Sequence, residues 1–305
     1  MKIYNQCVEN ISRVMREVWP QASLHPKGIT AAVMAPKKEI CNHLYAVHCD
    51  DLEGVKQFEE LAIKQGFHLE FGTDNRGLPA VICTDCVSGV KSCITYGPEA
   101  EKKCKGTSDI LRDAYSSTQS ARDVLFVLLA LLQQNRILDD GGLNQKLFSG
   151  EALAVMLLSV VNSYENNLLP DSGRILLDFF LTFGFVAYFN PVASSVTIKT
   201  MQPPRPRHMT SQLSVLDPAD ETINLTPSLD RVSNVQTVFS YCYSALNQYT
   251  QVSSGQRRAQ SVLSTIIGGE PYWIRVFRLY EQGVDPYYTF IAEHKAALYQ
   301  SQHGS

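Results

Sequence analysis

No stretch of this sequence stays apolar for longer than nine residues, Val124–Leu132. A helix needs about 20 to cross a bilayer, so no membrane span is expected. The first twenty residues mix Lys2, Arg13 and Arg16 with Glu9 and Glu17. They hold no apolar core of the secretory type, and no leader peptide is expected. An excess of one charge is lacking too: 30 acidic residues face 27 basic ones, a formal net charge of −3. That balance excludes nucleic-acid binding through bulk charge and leaves only a local basic surface for RNA. Charged residues make up 19% of the chain and hydrophobic ones 45%, which excludes disorder. The 305 residues suggest about two domains. Eight cysteines without a leader fit free thiols in a reducing, intracellular compartment. Cytoplasm, nucleus and mitochondrion are not distinguished by any residue pattern here.

What is present changes character near residue 105. Residues 3–18 place Ile3, Cys7, Ile11, Val14, Met15 and Val18 on one helical face that ends before Pro20. Ile29–Ala35, Ile40–His48, Phe67–Phe71, Ala80–Cys83 and Val90–Thr95 read as strands, and Asp51–Gln65 as a helix. Gly72–Pro79, with Asp74, Asn75, Gly77 and Pro79, reads as a hairpin loop. After a charged loop, Glu99–Lys105, the pattern turns helical: Ser108 as the cap of a helix to Tyr115, then Ala121–Asn135, Glu151–Tyr164 capped by Ser149, and Gly173–Phe183 capped by Asp171 or Ser172. Short strands are expected at Ser195–Lys199 and Gln212–Leu216, and helices at Asn234–Thr250, Trp273–Glu281 and Tyr288–Gln300. The expectation is an α+β chain, a small mixed sheet with helices followed by a mostly helical part.

A family resemblance rests on several segments in order. Leu216-Asp-Pro-Ala-Asp-Glu-Thr-Ile-Asn-Leu225 is similar to the Glu-Asp-Pro-Phe…Asn segment of the noncanonical poly(A) and poly(U) polymerases, which include the terminal uridylyltransferases. Leu147–Met156 resembles their Leu-Ser-Ser-Tyr helix start, and Leu176–Phe185 their Phe-Phe-x-Tyr-Tyr-Gly-Phe helix. Cys93-Ile-Thr and Thr107–Tyr115 resemble the third catalytic strand and the helix after it. The resemblance implies a pol β-like nucleotidyltransferase domain over residues 20–105 and a helical poly(A)-polymerase-associated domain over 106–305. It also implies an N-terminal helix, residues 1–19, packed on the helical domain. In that family three carboxylates hold two Mg²⁺ ions at the nucleotide.

The residues at those positions depart from the pattern. Gly28 matches the phosphate-contacting Gly-Ser, but Ile29 replaces the Ser. Cys41 and His43 stand where the paired Asp would fall, and Cys93 at the third carboxylate. Mg²⁺ asks for oxygen ligands, so it is not expected. Asp50 and Asp51 are the nearest acids, but neighbours on a strand point to opposite faces. Leu129 and Gln133 occupy the positions of two triphosphate-binding lysines. Phe148-Ser149-Gly150 loses the base-stacking Tyr, and Ile223, before Asn224, replaces a base-reading His of uridylyl-specific members. Metal ligands, phosphate cations and base platform are lost together.

Two readings of the Cys/His positions stand: a soft-metal site for an ion such as Zn²⁺ built on Cys41, His43 and Cys93, with Cys83 and Cys86 nearby, or small side chains filling an emptied cleft. Arg205 and Arg207, and the pair Arg257 and Arg258, read as a local RNA surface or as solvated loops. The C-terminal aromatics around Trp273, Tyr280 and Tyr288 read as core or as a partner surface. The expected function is a catalytically inactive nucleotidyltransferase-like subunit, structural or regulatory, in an RNA-processing or ribonucleoprotein assembly. Its partner would be a protein of related fold, and no cofactor is expected. The alternatives are an active RNA 3′-terminal uridylyl- or adenylyltransferase using displaced acids, and an RNA- or nucleotide-binding module without turnover.

Overall fold

The computed structural model describes residues 2–33, 42–49, 52–138, 143, 147–164, 170–199, 201–202, 213–229, 232–251 and 262–268. The chain is α+β. It begins α1 (Lys2–Val18), β1 (Ser23–Pro26), α2 (Gly28–Val33), β2 (Asn42–Val47), α3 (Leu52–Lys64), β3 (Phe67–Thr73), β4 (Pro79–Asp85) and β5 (Lys91–Thr95). It continues α4 (Ala100–Ser117), α5 (Gln119–Gln134), α6 (Gly150–Val161), α7 (Ser172–Gly184), β6 (Ser195–Val196), β7 (Met201–Gln202), β8 (Ser214–Val215) and α8 (Val232–Gln251), with a 3-10 turn at Val262–Thr265. No helix among the described residues is long and apolar enough to cross a membrane.

The first five strands form one sheet in the order β1-β2-β5-β4-β3. Only the β2–β5 pair is parallel, because α3 and the β3–β4 hairpin intervene and carry the chain back to the same end. Alternation along the strands gives the sheet two different faces. Leu44, Ala46, Val81, Cys83 and Ile94 turn to one side and meet Ile11, Val14 and Met15 of α1 and Phe58 and Ala62 of α3. The helix α1 therefore lies on the sheet, not on the helical half as the family resemblance led us to expect. Its stripe of Cys7, Ile11, Val14 and Met15 matches the apolar back of the sheet, and Trp19 beyond its end stands 6.1 Å from the ring of Phe58. Ala80, Ile82 and Cys93 pack together on the opposite face.

Three further local expectations are corrected. Ile29–Ala35 is not a strand: residues 28–33 form α2, and β1, at Ser23–Pro26, takes the place beside β2. Gly28, at φ +49°, turns the chain sharply after β1, and the Thr30 amide donates to the Lys27 carbonyl to start a helical turn. Ile29 and Ala32 are then buried in the core of the helical half. A short apolar run does not reveal its period, so the strand and the buried helix looked alike in the sequence. The segment 99–105 is not a loop, since α4 already begins at Ala100. Its charges lie outward while Ala100, Cys104, Thr107, Ser108, Leu111 and Tyr115 form the buried stripe. Ser108 therefore sits inside the helix, where its hydroxyl donates to the Cys104 carbonyl and accepts from the Gly28 amide.

Other expectations hold. Ser149 caps α6 by accepting from the Ala152 amide, and Asp171 caps α7 by accepting from Arg174. Every residue of α6 is buried, so it is the central helix of the second core, with α5 and α7 against it. Phe179 and Phe180 of α7 meet Phe239 of α8 at ring distances of 5.2 and 5.8 Å. Gly184 makes that crossing close: a Cβ there would stand 2.6 Å from the backbone nitrogen of Ser240. The helices expected at Trp273–Glu281 and Tyr288–Gln300, with their aromatics, lie outside the described residues.

Candidate functional site

The face of the sheet that carries Ala80, Ile82 and Cys93 is the one opposite α1 and α3, and the resemblance puts the nucleotide cleft on this side. His43 on β2 and Cys93 on β5 are partners in the parallel register, so the fold brings side by side two of the three positions where the resemblance calls for carboxylates. Cys41 lies outside the described residues, as do Asp50 and Asp51. Cys93 is buried in a cluster with Ala80 and Ile82, and Leu143 packs against that cluster. A hard divalent cation asks for oxygen ligands. Among the described residues this face presents the His43 imidazole, the Cys93 thiol, aliphatic carbon and the Thr95 hydroxyl, which Lys27 and Asp74 already engage, a donor set that does not fit Mg²⁺. Among the described residues no group of three His, Cys, Asp or Glu side chains is placed to hold a metal.

The two other thiols of the cysteine cluster point elsewhere. Cys83 is on the back of the sheet near Cys7, and burial pushes its thiol up, with the neighbouring Cys93 and Cys7 adding to the shift. Cys86 is exposed on the β4–β5 turn. Cys83 and Cys86 are therefore not placed as a pair around one ion.

The remaining sequence-marked positions spread over both halves. Leu129 is buried in the helical core, so the helix α5 turns this position away from any phosphate. Gln133 is half-buried near the end of α5. Phe148 is buried in the same core, and its amide donates to the Ile137 carbonyl. Ile223 packs against the edge of that core. Asn224 holds a turn together, its side-chain oxygen accepting from the amides of Val215 and Thr226. Gly28 and Ile29 of α2 meet Glu151 and Gly150 of α6 directly: a Cβ on Gly28 would lie 2.0 Å from Glu151 Oε1, and one on Gly150 2.9 Å from Ile29 Cδ1. The Gly28–Ile29 segment thus touches the start of α6 directly.

Sequence reasoning missed the groups that dominate this junction. The β3–β4 turn, closed by Gly77 at φ +74°, carries Asp74 and Arg76 inward. Lys27 Nζ donates to Asp74 Oδ2 at 2.6 Å and to Thr95 Oγ1 at 2.8 Å. Asp74 Oδ1 accepts from the amides of Arg76 and Leu78. The Arg76 guanidinium has no exposed surface. Its Nη1 donates to Glu151 Oε2 at 2.5 Å, and its Nη2 and Nε donate to Asp217 Oδ2 at 2.6 and 3.0 Å. The other Asp217 oxygen accepts from Thr107 Oγ1 and from the Ala219 amide. Burial would raise the carboxyls of Asp74 and Glu151, but their cations outweigh it: Lys27 and Arg76 hold Asp74 low, and Arg76 and Lys27 hold Glu151 low. Burial would likewise lower Lys27 and Arg76, and the facing carboxylates raise both. Two of these groups did carry a sequence signal: Glu151, a single charge beside the apolar run Ala152–Leu158, and Asp217, inside the Asp-Pro segment that carries the resemblance.

No protein-family model and no curated protein matches this sequence. Solved structures do. The polymerase core of TRAMP, an RNA surveillance complex, superposes with a TM-score of 0.70 over 88% of each chain at 15% identity. The chain has the fold of the poly(A) and poly(U) polymerases. The Cid1 poly(U) polymerase bound to MgGTP gives 0.69 over 88% of this chain and 93% of its own, at 13% identity. The apo form of mtPAP gives 0.67 over 84% of this chain and 66% of its own, at 10% identity. The nucleotidyltransferase-like architecture inferred from the Asp-Pro segment and its neighbours is therefore present. The likeness at this identity is one of fold.

Proposed function

We propose that this chain is a catalytically inactive nucleotidyltransferase-like protein, a structural or regulatory subunit of an RNA-processing assembly. The observation that carries the reading is the cleft face of the sheet. Where the resemblance calls for metal-binding carboxylates, His43 and Cys93 stand on paired strands, and Cys93 is sealed among Ala80, Ile82 and Leu143. Two-metal phosphoryl transfer depends on oxygen ligands that align and neutralise the reacting phosphate. Thiol, imidazole and aliphatic carbon supply neither, and no cofactor is part of this proposal.

The electrostatics favour the same reading over nucleotide binding without turnover. The buried junction holds three carboxylates, Asp74, Glu151 and Asp217, against two cations, Lys27 and Arg76. Both cations are committed to carboxylates, and a triphosphate entering here would meet net negative charge. The TRAMP polymerase core, named as part of a complex, is among the structures of the same fold. That supports a protein partner, for which a related nucleotidyltransferase-fold subunit is our proposal, with RNA reached through a local surface of the assembly.

Primer extension tests the proposal. Purified protein is incubated with a labelled single-stranded RNA, Mg²⁺ or Mn²⁺, and each nucleoside triphosphate in turn. No added tail is the expected result. A tail that survives a mock preparation sinks the proposal and makes the chain an RNA 3′-terminal uridylyl- or adenylyltransferase with displaced ligands.

A further inference from the structure

Arg76 reaches across from one half of the molecule to the other. It rides the β3–β4 turn of the sheet, yet its partners are Glu151 at the start of α6 and Asp217 in the loop after β8. A second tie runs beside it, from Asn75 Nδ2 to the Leu225 carbonyl at 3.4 Å. Asp217 is held in turn by Thr107 of α4, so the guanidinium meets an acceptor already fixed in place. Below this cluster Gly28 lies against Glu151 and Ile29 against Gly150.

We propose that Arg76, with Glu151 and Asp217, is a latch that holds the cleft between the two halves shut without a nucleotide. The inference rests on the reading of this cleft as a nucleotide site that has lost its ligand groups. A ligand closes a two-state cleft by interacting better with the closed form than with the open one. Here the chain's own side chains supply that difference. An arginine on one wall finds carboxylates on the other, where a phosphate would otherwise bring the negative charge. The contact leaves no gap at α2 either, since Gly28 has room for a hydrogen and nothing larger. Opening would separate the guanidinium from both carboxylates and expose the Ile29 side chain to water, so the closed form keeps contacts that the open one loses.

Hydrogen exchange on the full chain tests the latch. In the native protein, residues 28–33 and 74–78 should be protected alike with and without saturating ATP or UTP and Mg²⁺. Arg76→Met alone strands two buried carboxylates and is a poor probe, because the whole chain is at risk. The neutral triple variant Arg76→Met/Glu151→Gln/Asp217→Asn removes the charges and keeps the shapes. In it, exchange at residues 28–33 and 74–78 should speed up by about tenfold or more while the α5 amides of Leu125–Leu132 stay protected. Three results would overturn the latch: a triple variant that exchanges like the native protein, one in which every segment speeds up together, or native segments that gain tenfold protection on adding nucleotide. Primer extension by the native chain would instead remove the inactive reading, and the exchange data would still decide the latch.

Discussion

Gly28 and Glu151 are packed so closely that a single added carbon on the glycine would stand 2.0 Å from a carboxylate oxygen. The glycine also sits at φ +49°, where an L side chain is strained. Glu151 has little freedom to retreat, because its other oxygen is held by Arg76. Gly28→Ala should cost about 2 kcal/mol or more in urea unfolding. Gly150→Ala is the milder comparison: its Cβ would meet only side-chain atoms of Ile29, Cδ1 at 2.9 Å and Cγ2 at 3.3 Å, at an ordinary φ where alanine favours the helix, so the change should cost less than Gly28→Ala.

Lys27 and Asp74 make a second buried pair. Removing one partner leaves the other charged and dry, at a cost of about 3–5 kcal/mol. Lys27→Met should show that loss in equilibrium unfolding. Lys27→Met/Asp74→Asn should recover at least half of it, and a double variant no better than the single one would show that the charges are not what matters.

Acid should weaken the fold in a defined way. The folded carboxyls of Asp74 and Glu151 lie below their ordinary values of 3.8 and 4.5. A depressed carboxyl contributes stability that is complete above its ordinary value and is lost as pH falls through the folded one. The urea midpoint should therefore hold steady from neutral pH down to about pH 5 and fall below about pH 4. In Lys27→Met/Asp74→Asn the fall should be smaller.

Cys93 tests whether a carboxylate at this position can support nucleotide addition. Cys93→Asp would place a carboxylate among Ala80, Ile82 and Leu143. Burying a charge there should cost about 3 kcal/mol or more, or force the group to stay protonated. Primer extension should remain absent in this variant and in His43→Asp/Cys93→Asp. A tail made by either, and not by the native chain, would show that missing carboxylates alone account for the inactivity.

Gly184 governs the crossing of α7 and α8. A Cβ at this position would press on the backbone of Phe239 and Ser240, which cannot rotate away. Gly184→Ala should lower stability by about 1–3 kcal/mol through overpacking, read as a drop in the urea midpoint with the slope unchanged.

Much of the fold was legible because it is written locally. Ser149 and Asp171 announce helix starts through their own side chains, and the Asp-Asn-Arg-Gly turn announces a hairpin. The apolar stripe of α1 was equally plain, but not what it packs on, since a stripe does not name its partner. The ambiguity of Ile29–Ala35 was of the same kind, settled only by the core that α2 enters. The ion cluster was the least legible part. Lys27 meets Asp74 across 47 residues, and Arg76 meets Glu151 across 75 and Asp217 across 141. No window of sequence contains such a pair. The candidate metal positions were read from a resemblance, and the sheet register places two of them, His43 and Cys93, side by side.

The buried cluster also constrains how this protein can drift. A domain's whole stability is about 5–15 kcal/mol, and stranding one buried charge takes a large share of it. A lineage that replaced Arg76 first would pass through a barely folded intermediate, as would one that began with Asp217. Among descendants of a common ancestor, Arg76, Glu151 and Asp217 should be exchanged as a set, and Lys27 with Asp74, even where the surface around them has diverged beyond recognition.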